Sequence, residues 1–287
     1  MDKCVCLWKS RGSGLRARFS LLAAGLGYAG AHMTDSGNEP PATDLEPRAT
    51  SHEPRPLAAR AVALLEVILC SDYPTQFALA ATLNAAGYSP IVNGQLSLRY
   101  VVTLSLVDSV LLVGLIVLFL RSHGERVRDV LLGPRPAAGE VLLGVQLTFG
   151  ALVFGIAVLT AVQSLFPGLH NVVHNPLQDL IRGPRNAGIF AIVVVVAGGV
   201  REEIQRAFVL HRFKVWLGGG TVGIIVGSIA FGAGHLVQGY DAAIATGLLG
   251  VFWGIMYLRR GSVVAPMVSH SGFNLIELLQ YLAFARR

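Results

Sequence analysis

Apolar positions fall into seven long runs separated by short polar breaks. The first covers about 58–83 and is interrupted by Ser71-Asp72-Tyr73-Pro74. The second, 100–120, holds a single charge, Asp108. The others cover about 140–165, 187–213, 216–238, 242–258 and 263–283. A helix needs about 20 apolar residues to cross a bilayer, and a membrane β-barrel shows alternation instead. Continuous runs of this length predict an all-α fold, a polytopic transmembrane helical bundle of about seven spans. Residues 166–186 mix Pro, Asn, His and Arg with apolar side chains and read as a loop or interfacial segment.

The chain ahead of the first run has a different character. Residues 34–56 carry Pro40, Pro41, Pro47, Pro54 and Pro56 with mixed charge, which predicts a disordered N-terminal tail over 1–56. Within it, Arg11, Arg16 and Arg18 precede a short apolar run that ends Ala29-Gly30-Ala31. Residues 1–32 are therefore either signal-like or upstream of a true start at Met33. The transmembrane domain is expected over 57–285.

Composition agrees with a membrane protein. Hydrophobic residues make up 53% of the 287 and charged residues 14%, with a mean hydropathy of +0.58. This excludes a disordered chain and a nucleic-acid partner, and leaves membrane lipid as the surrounding partner. The net charge of +6 comes largely from loops. Arg48, Arg55 and Arg60, then Arg121, Arg126, Arg128 and Arg135, then Arg212 and Lys214, then Arg259 and Arg260 alternate with poorly basic loops. Lys and Arg favour the cytoplasmic side, so the N-terminus is placed there, in the inner membrane of a bacterium. Cys4, Cys6 and Cys70 form no disulfide or zinc framework, and Cys70 reads as a small buried side chain.

The chemistry lies in polar residues inside the runs. Arg201-Glu202-Glu203-Ile204-Gln205-Arg206 follows only 14 apolar or small residues, so the helix has to pass through these charges to complete a span. Each charge at the bilayer centre costs about 2.5–3.5 kcal/mol, so the group requires pairing or a water-filled cavity. Glu202 and Glu203 both lie within helical reach of Arg206. They point about 100° apart, so one is expected to face a pocket while the other holds Arg206. Phe231 and His235 share a helix face in the fifth run, as do His270 and Asn274 in the seventh. Two carboxylates, two histidines and an Asn on three spans suit water activation and oxyanion stabilisation, and Glu and His are also metal ligands.

E-E-x-x-R (Glu202, Glu203, Arg206), F-x-x-x-H (Phe231, His235) and H-x-x-x-N (His270, Asn274) occur in this order on successive late spans. In these features the chain resembles the CPBP intramembrane proteases, which include the CAAX prenyl endopeptidases and abortive-infection proteins. The resemblance covers about 187–283. It implies an endopeptidase that hydrolyses a peptide bond of a membrane-associated protein, with Glu202 activating the water, His235 holding it, and His270 and Asn274 as the oxyanion hole. Glu203, Arg206 and Phe231 would support the pocket. The family is named for a metal, which would make Glu202, His235 and His270 the ligands of a divalent ion such as zinc. A metal-free, glutamate-dependent reaction has also been proposed for it. No H-E-x-x-H and no Gly-x-Ser-Gly is present, and Gly239-Tyr240-Asp241 is a weak echo of the aspartyl class. His170 and His174 lack a nearby acidic residue in sequence and read as a solvated loop pair.

Two other functions use the same residues, a proton-coupled transporter or channel and a non-catalytic membrane scaffold or immunity protein. A transporter often shows repeated halves, and none is visible here. The substrate protein is not legible in the sequence. Counted along the spans, Glu202 falls near mid-membrane, His270 near the cytoplasmic end and His235 toward the far end. One pocket then requires tilt, a broken helix or other boundaries.

Overall fold

The structure is a computed structural model that describes residues 56–173, 175–181 and 183–284. The tail and signal-like stretch, Cys4, Cys6, His174 and the terminal arginines lie outside the described residues. The described chain is all-α apart from one hairpin of two-residue strands, β1 (Ile91–Val92) and β2 (Gln95–Leu96), paired antiparallel.

Three of the apolar runs become single helices long and apolar enough to cross a membrane: α3 (Leu98–Ser122), α5 (Ala137–Leu165) and α9 (Tyr240–Arg260). Ser97 starts α3 by accepting the Tyr100 amide on its hydroxyl at 3.3 Å. Gly261, at φ 64°, ends α9 in the left-handed conformation that a side chain disfavours. On α3 and α5, Val110, Leu118, Leu142, Phe149 and Val153 are exposed, as lipid-facing side chains are. A short helix, α4 (Val127–Leu131), links the two.

The first run is two helices, α1 (Leu57–Leu69) and α2 (Tyr73–Ala85). The break falls at Asp72, whose φ of 80° is left-handed. The fourth run begins earlier than its apolar stretch, with α6 (Gly183–Val193), and continues without interruption through a π-wound segment, Val194–Arg201, into α7 (Glu202–Trp216). The helix does pass through its charges, as its short apolar length requires. The fifth run is shorter than expected. α8 (Gly220–Ala233) ends before His235, because Gly232 and Gly234 weaken the helix and Gly239, at φ 117°, turns the chain into α9. The seventh run is α10 (Val264–Phe284). Residues 166–181 hold two short 3-10 turns, Pro167–Leu169 and Pro176–Leu180.

α10 packs along α5 and against the π-wound segment, and α8 packs on α9. A Cβ at Gly232 would lie 2.7 Å from the Ala243 carbonyl oxygen and 3.2 Å from Gly247 Cα, so this crossing needs glycine. Leu112, Ile116 and Leu120 of α3 form a core with Val130, Leu131, Ala207, Phe208, Leu210 and buried Cys70.

Several charges are buried within the bundle in pairs. Arg212 joins Glu66 and Glu125, each at 2.6 Å, while His123 contacts Glu66 at 2.6 Å and His211 contacts Glu125 at 2.7 Å. Arg260 pairs with Glu140. His170 is not a lone solvated residue. Its Nδ1 lies 2.7 Å from Asp241, which also accepts from Gln163 at 2.8 Å. The partner is 71 residues away, beyond the reach of any local pattern.

Candidate functional site

Glu202, His235, His270 and Asn274 line one cavity of about 570 Å³, together with Arg201, Trp253 and Phe273. Three elements bring Glu202, His235, His270 and Asn274 together. The π winding carries the chain into α7 at Glu202, and such wide turns recur at functional sites. α10 comes close because Gly198 and Gly199 carry no side chains. A Cβ on Gly199 would lie 2.9 Å from Ser271 Cβ, and one on Gly198 would lie 2.6 Å from the Asn274 amide nitrogen. The end of α8 supplies His235. Its early termination, the crossing of α10 on the π-wound segment and the unbroken run through the charges remove the apparent separation along the spans.

The two glutamates divide their roles. Glu203 is buried, ion-paired with Arg206, and accepts from His270 Nδ1 at 2.8 Å. Glu202 faces the cavity. It does not join Arg206 in a salt bridge: its Oε1 accepts from Arg201 Nη2 at 3.3 Å, and its Oε2 lies 3.8 Å from His270 Nε2. The difference follows from direction. Arg206 leaves the helix on the Glu203 side and sits over the Phe231 ring, 4.6 Å from its centroid. Arg201 is the residue on the Glu202 side.

The imidazoles are oriented by fixed partners. His235 Nδ1 lies 2.8 Å from the Phe231 carbonyl oxygen, which only accepts, so Nδ1 carries the proton. In the neutral ring Nε2 is then an acceptor. The ring meets Phe231 edge-on at 4.9 Å. His270 stacks on Trp253 at 3.8 Å and 18°, and Trp253 donates its indole N–H to Ser269 at 3.1 Å. Asn274 donates from Nδ2 to the Val194 carbonyl at 3.2 Å, an oxygen within the π-wound segment.

The sequence showed Arg201 and Asp108 as charges within apolar runs but gave neither a role at the site, and it did not single out Trp253 or Asp72. Asp108 carried a signal: an acidic residue alone in a span requires a partner on another helix, and Arg201 lies 3.0 Å away. Trp253 carried none, since a Trp in an apolar run is ordinary. Among the described residues no three His, Cys, Asp or Glu side chains converge as a metal-holding group. As arranged here, Glu202, His235 and His270 do not form such a group.

A part-buried carboxylate open to a cavity, beside two imidazoles fixed by hydrogen bonds and an amide, is what the helices bring together here. Residues 184–276, about a third of the chain, match the family model described as type II CAAX prenyl endopeptidase Rce1-like. Over that stretch the match is consistent with a CPBP protease and in general with a CAAX-type intramembrane endopeptidase. No curated protein and no solved structure matches the chain.

Proposed function

We propose that the chain hydrolyses a peptide bond of a membrane-associated protein with a water held between Glu202 and His235. The observation that carries this reading is the meeting of Glu202, His235, His270 and Asn274 in one cavity. Glu202 and His235 Nε2 are both acceptors, so a water between them directs its protons to them and a lone pair outward. Glu202 takes one proton as the water oxygen attacks the scissile carbonyl. The carbonyl oxygen becomes an oxyanion. It is met by the Asn274 amide and by His270, whose Nδ1 is held on Glu203 at 2.8 Å. Collapse breaks the C–N bond, Glu202 returns its proton to the leaving nitrogen, and a carboxylic acid and an amine are released. Trp253 and Phe231 shield the polar atoms and hold both rings in place.

The basic segments support a cytoplasmic placement of the residues ahead of α1, in a bacterial inner membrane. Arg135 donates to the Arg260 carbonyl at 3.0 Å, and Glu125 binds His211 and Arg212, so three basic segments meet at one end of the bundle.

The test compares membranes containing wild type with membranes containing Glu202→Gln at equal expression, listing new protein termini by mass spectrometry. Termini found only with wild type are expected, and they identify the substrate. Identical lists would defeat the hydrolytic reading and turn attention to proton flux.

A further inference from the structure

The strongest contacts to the site from outside residues 184–276 come from the corner between α1 and α2. Arg201 is buried, and its Nε donates to the Ala197 carbonyl at 3.3 Å. Its guanidinium meets three carboxylates: Glu202 at 3.3 Å, Asp108 at 3.0 Å, and Asp72 in a close ion pair. Asp72 is itself fixed, accepting from Gln76 Nε2 at 2.6 Å. It keeps a left-handed backbone, φ 80°, that side chains other than glycine seldom adopt. Strained backbone of this kind gathers at functional sites. The next residue reaches the other half of the site. Tyr73 donates its hydroxyl to the Ala230 carbonyl at 2.8 Å. Ala230 lies in the last turn of α8, and the same carbonyl accepts from the Gly234 amide at 3.1 Å. His235 follows directly.

We propose that the Asp72–Tyr73 corner is a positioning device that sets Glu202 and His235 relative to each other; this rests on the hydrolytic reading above. Asp72 and Asp108 together hold Arg201 back, so that Glu202 receives one N–H from it rather than two. An arginine freed from Asp72 would turn its fork onto Glu202 and occupy the lone pairs that have to accept the water proton. Tyr73 fixes the turn that carries His235 from the same corner. The device adds no group that touches the substrate. It governs how well the base works, not how well the substrate binds.

The experiment uses the full chain in detergent or membranes and, as substrate, the membrane protein whose new termini appear with wild type. Asp72→Asn is expected to lower kcat at least about tenfold, since a displaced catalytic group costs up to ~10²-fold, while KM stays within about twofold. Asp72→Glu, which keeps the charge, should restore most of kcat. Adding Arg201→Gln to Asp72→Asn should recover activity relative to Asp72→Asn alone, because the competing guanidinium is gone. A merely structural corner would instead give losses that multiply. Full kcat in Asp72→Asn, or multiplying losses in the double variant, would overturn the proposal while Glu202→Gln remains inactive. Undiminished cleavage by Glu202→Gln would overturn the hydrolytic reading and this one with it. If Asp72→Asn fails to accumulate, Tyr73→Phe decides, since it deletes one hydroxyl: lowered kcat at constant KM supports the device, and unchanged kcat overturns it.

Discussion

At the residue scale, adjacency in sequence separates Glu202 from Glu203 more sharply than chemistry does. Their side chains are identical, but one ends in a cavity and the other in a salt bridge with Arg206 and a hydrogen bond from His270. Substitution should divide them by symptom. Glu202→Gln should lower cleavage by about 10²–10⁴-fold, the worth of a general base, with little change in melting temperature. Glu203→Gln should lower both, because Arg206 and His270 lose a buried partner; thermal melting alongside the cleavage assay checks this. Asn274→Ala should cost about 10²–10³-fold in kcat, as for one oxyanion donor, with KM little changed. The polar residues that the cavity brings together, Glu202, His235, His270 and Asn274, were conspicuous in the sequence, since polar groups inside apolar runs are costly. Arg201 was visible as a charge but not as the partner of Glu202, because which cation a glutamate meets depends on side-chain direction across the helix.

At the element scale, the π-wound segment Val194–Arg201 and α10 form the seam on which the site depends. Glycine permits it. Gly199→Ala should force Ser271 away, an overpacking worth about 1–3 kcal/mol, and lower both melting temperature and cleavage. Adding Ser271→Gly should restore part of each, since the obstructing Cβ is then removed; failure of the pair to recover would show that the loss arises elsewhere. Helix positions followed from the apolar runs, and α3, α5, α9 and α10 begin and end within a few residues of them. The π winding has no such signature. Gly198-Gly199 marks weak helix propensity, but the wider turn is stabilised by contacts from α10, including the Asn274 bond to Val194, which a local pattern does not contain.

At the scale of the whole molecule, buried ion networks tie the spans together at one end. Arg212 is almost fully buried between Glu66 of α1 and Glu125 of the α3–α4 loop. Arg212→Met should destabilise the fold by about 3–5 kcal/mol by taking the buried guanidinium from both Glu66 and Glu125, and Glu66→Met added to it should recover part of the loss. Thermal melting of the double variant checks the coupling. Burial works against the charged form of Glu125, but His211 and Arg212 outweigh it and hold the carboxyl below its ordinary value. A depressed folded pKa contributes stability that is fully present above the unfolded value, about 4.3, and is lost as pH falls through the folded one. Melting temperature should therefore drop on acidification below about pH 4, and less in Glu125→Gln.

The sequence by itself determined the all-α membrane class, the helical runs and the chemical types at the site, because hydrophobic length and buried charge are each read one segment at a time. It also predicted that one glutamate would face a pocket, from the helical angle alone. Only the tertiary structure decided that Arg201 rather than Arg206 touches Glu202, that His170 belongs to Asp241, and that the α1–α2 corner reaches both halves of the site. Those pairings join residues up to 157 positions apart. They arise where packed helices bring distant side chains together, and a periodic pattern along one chain carries no record of which helix will lie opposite.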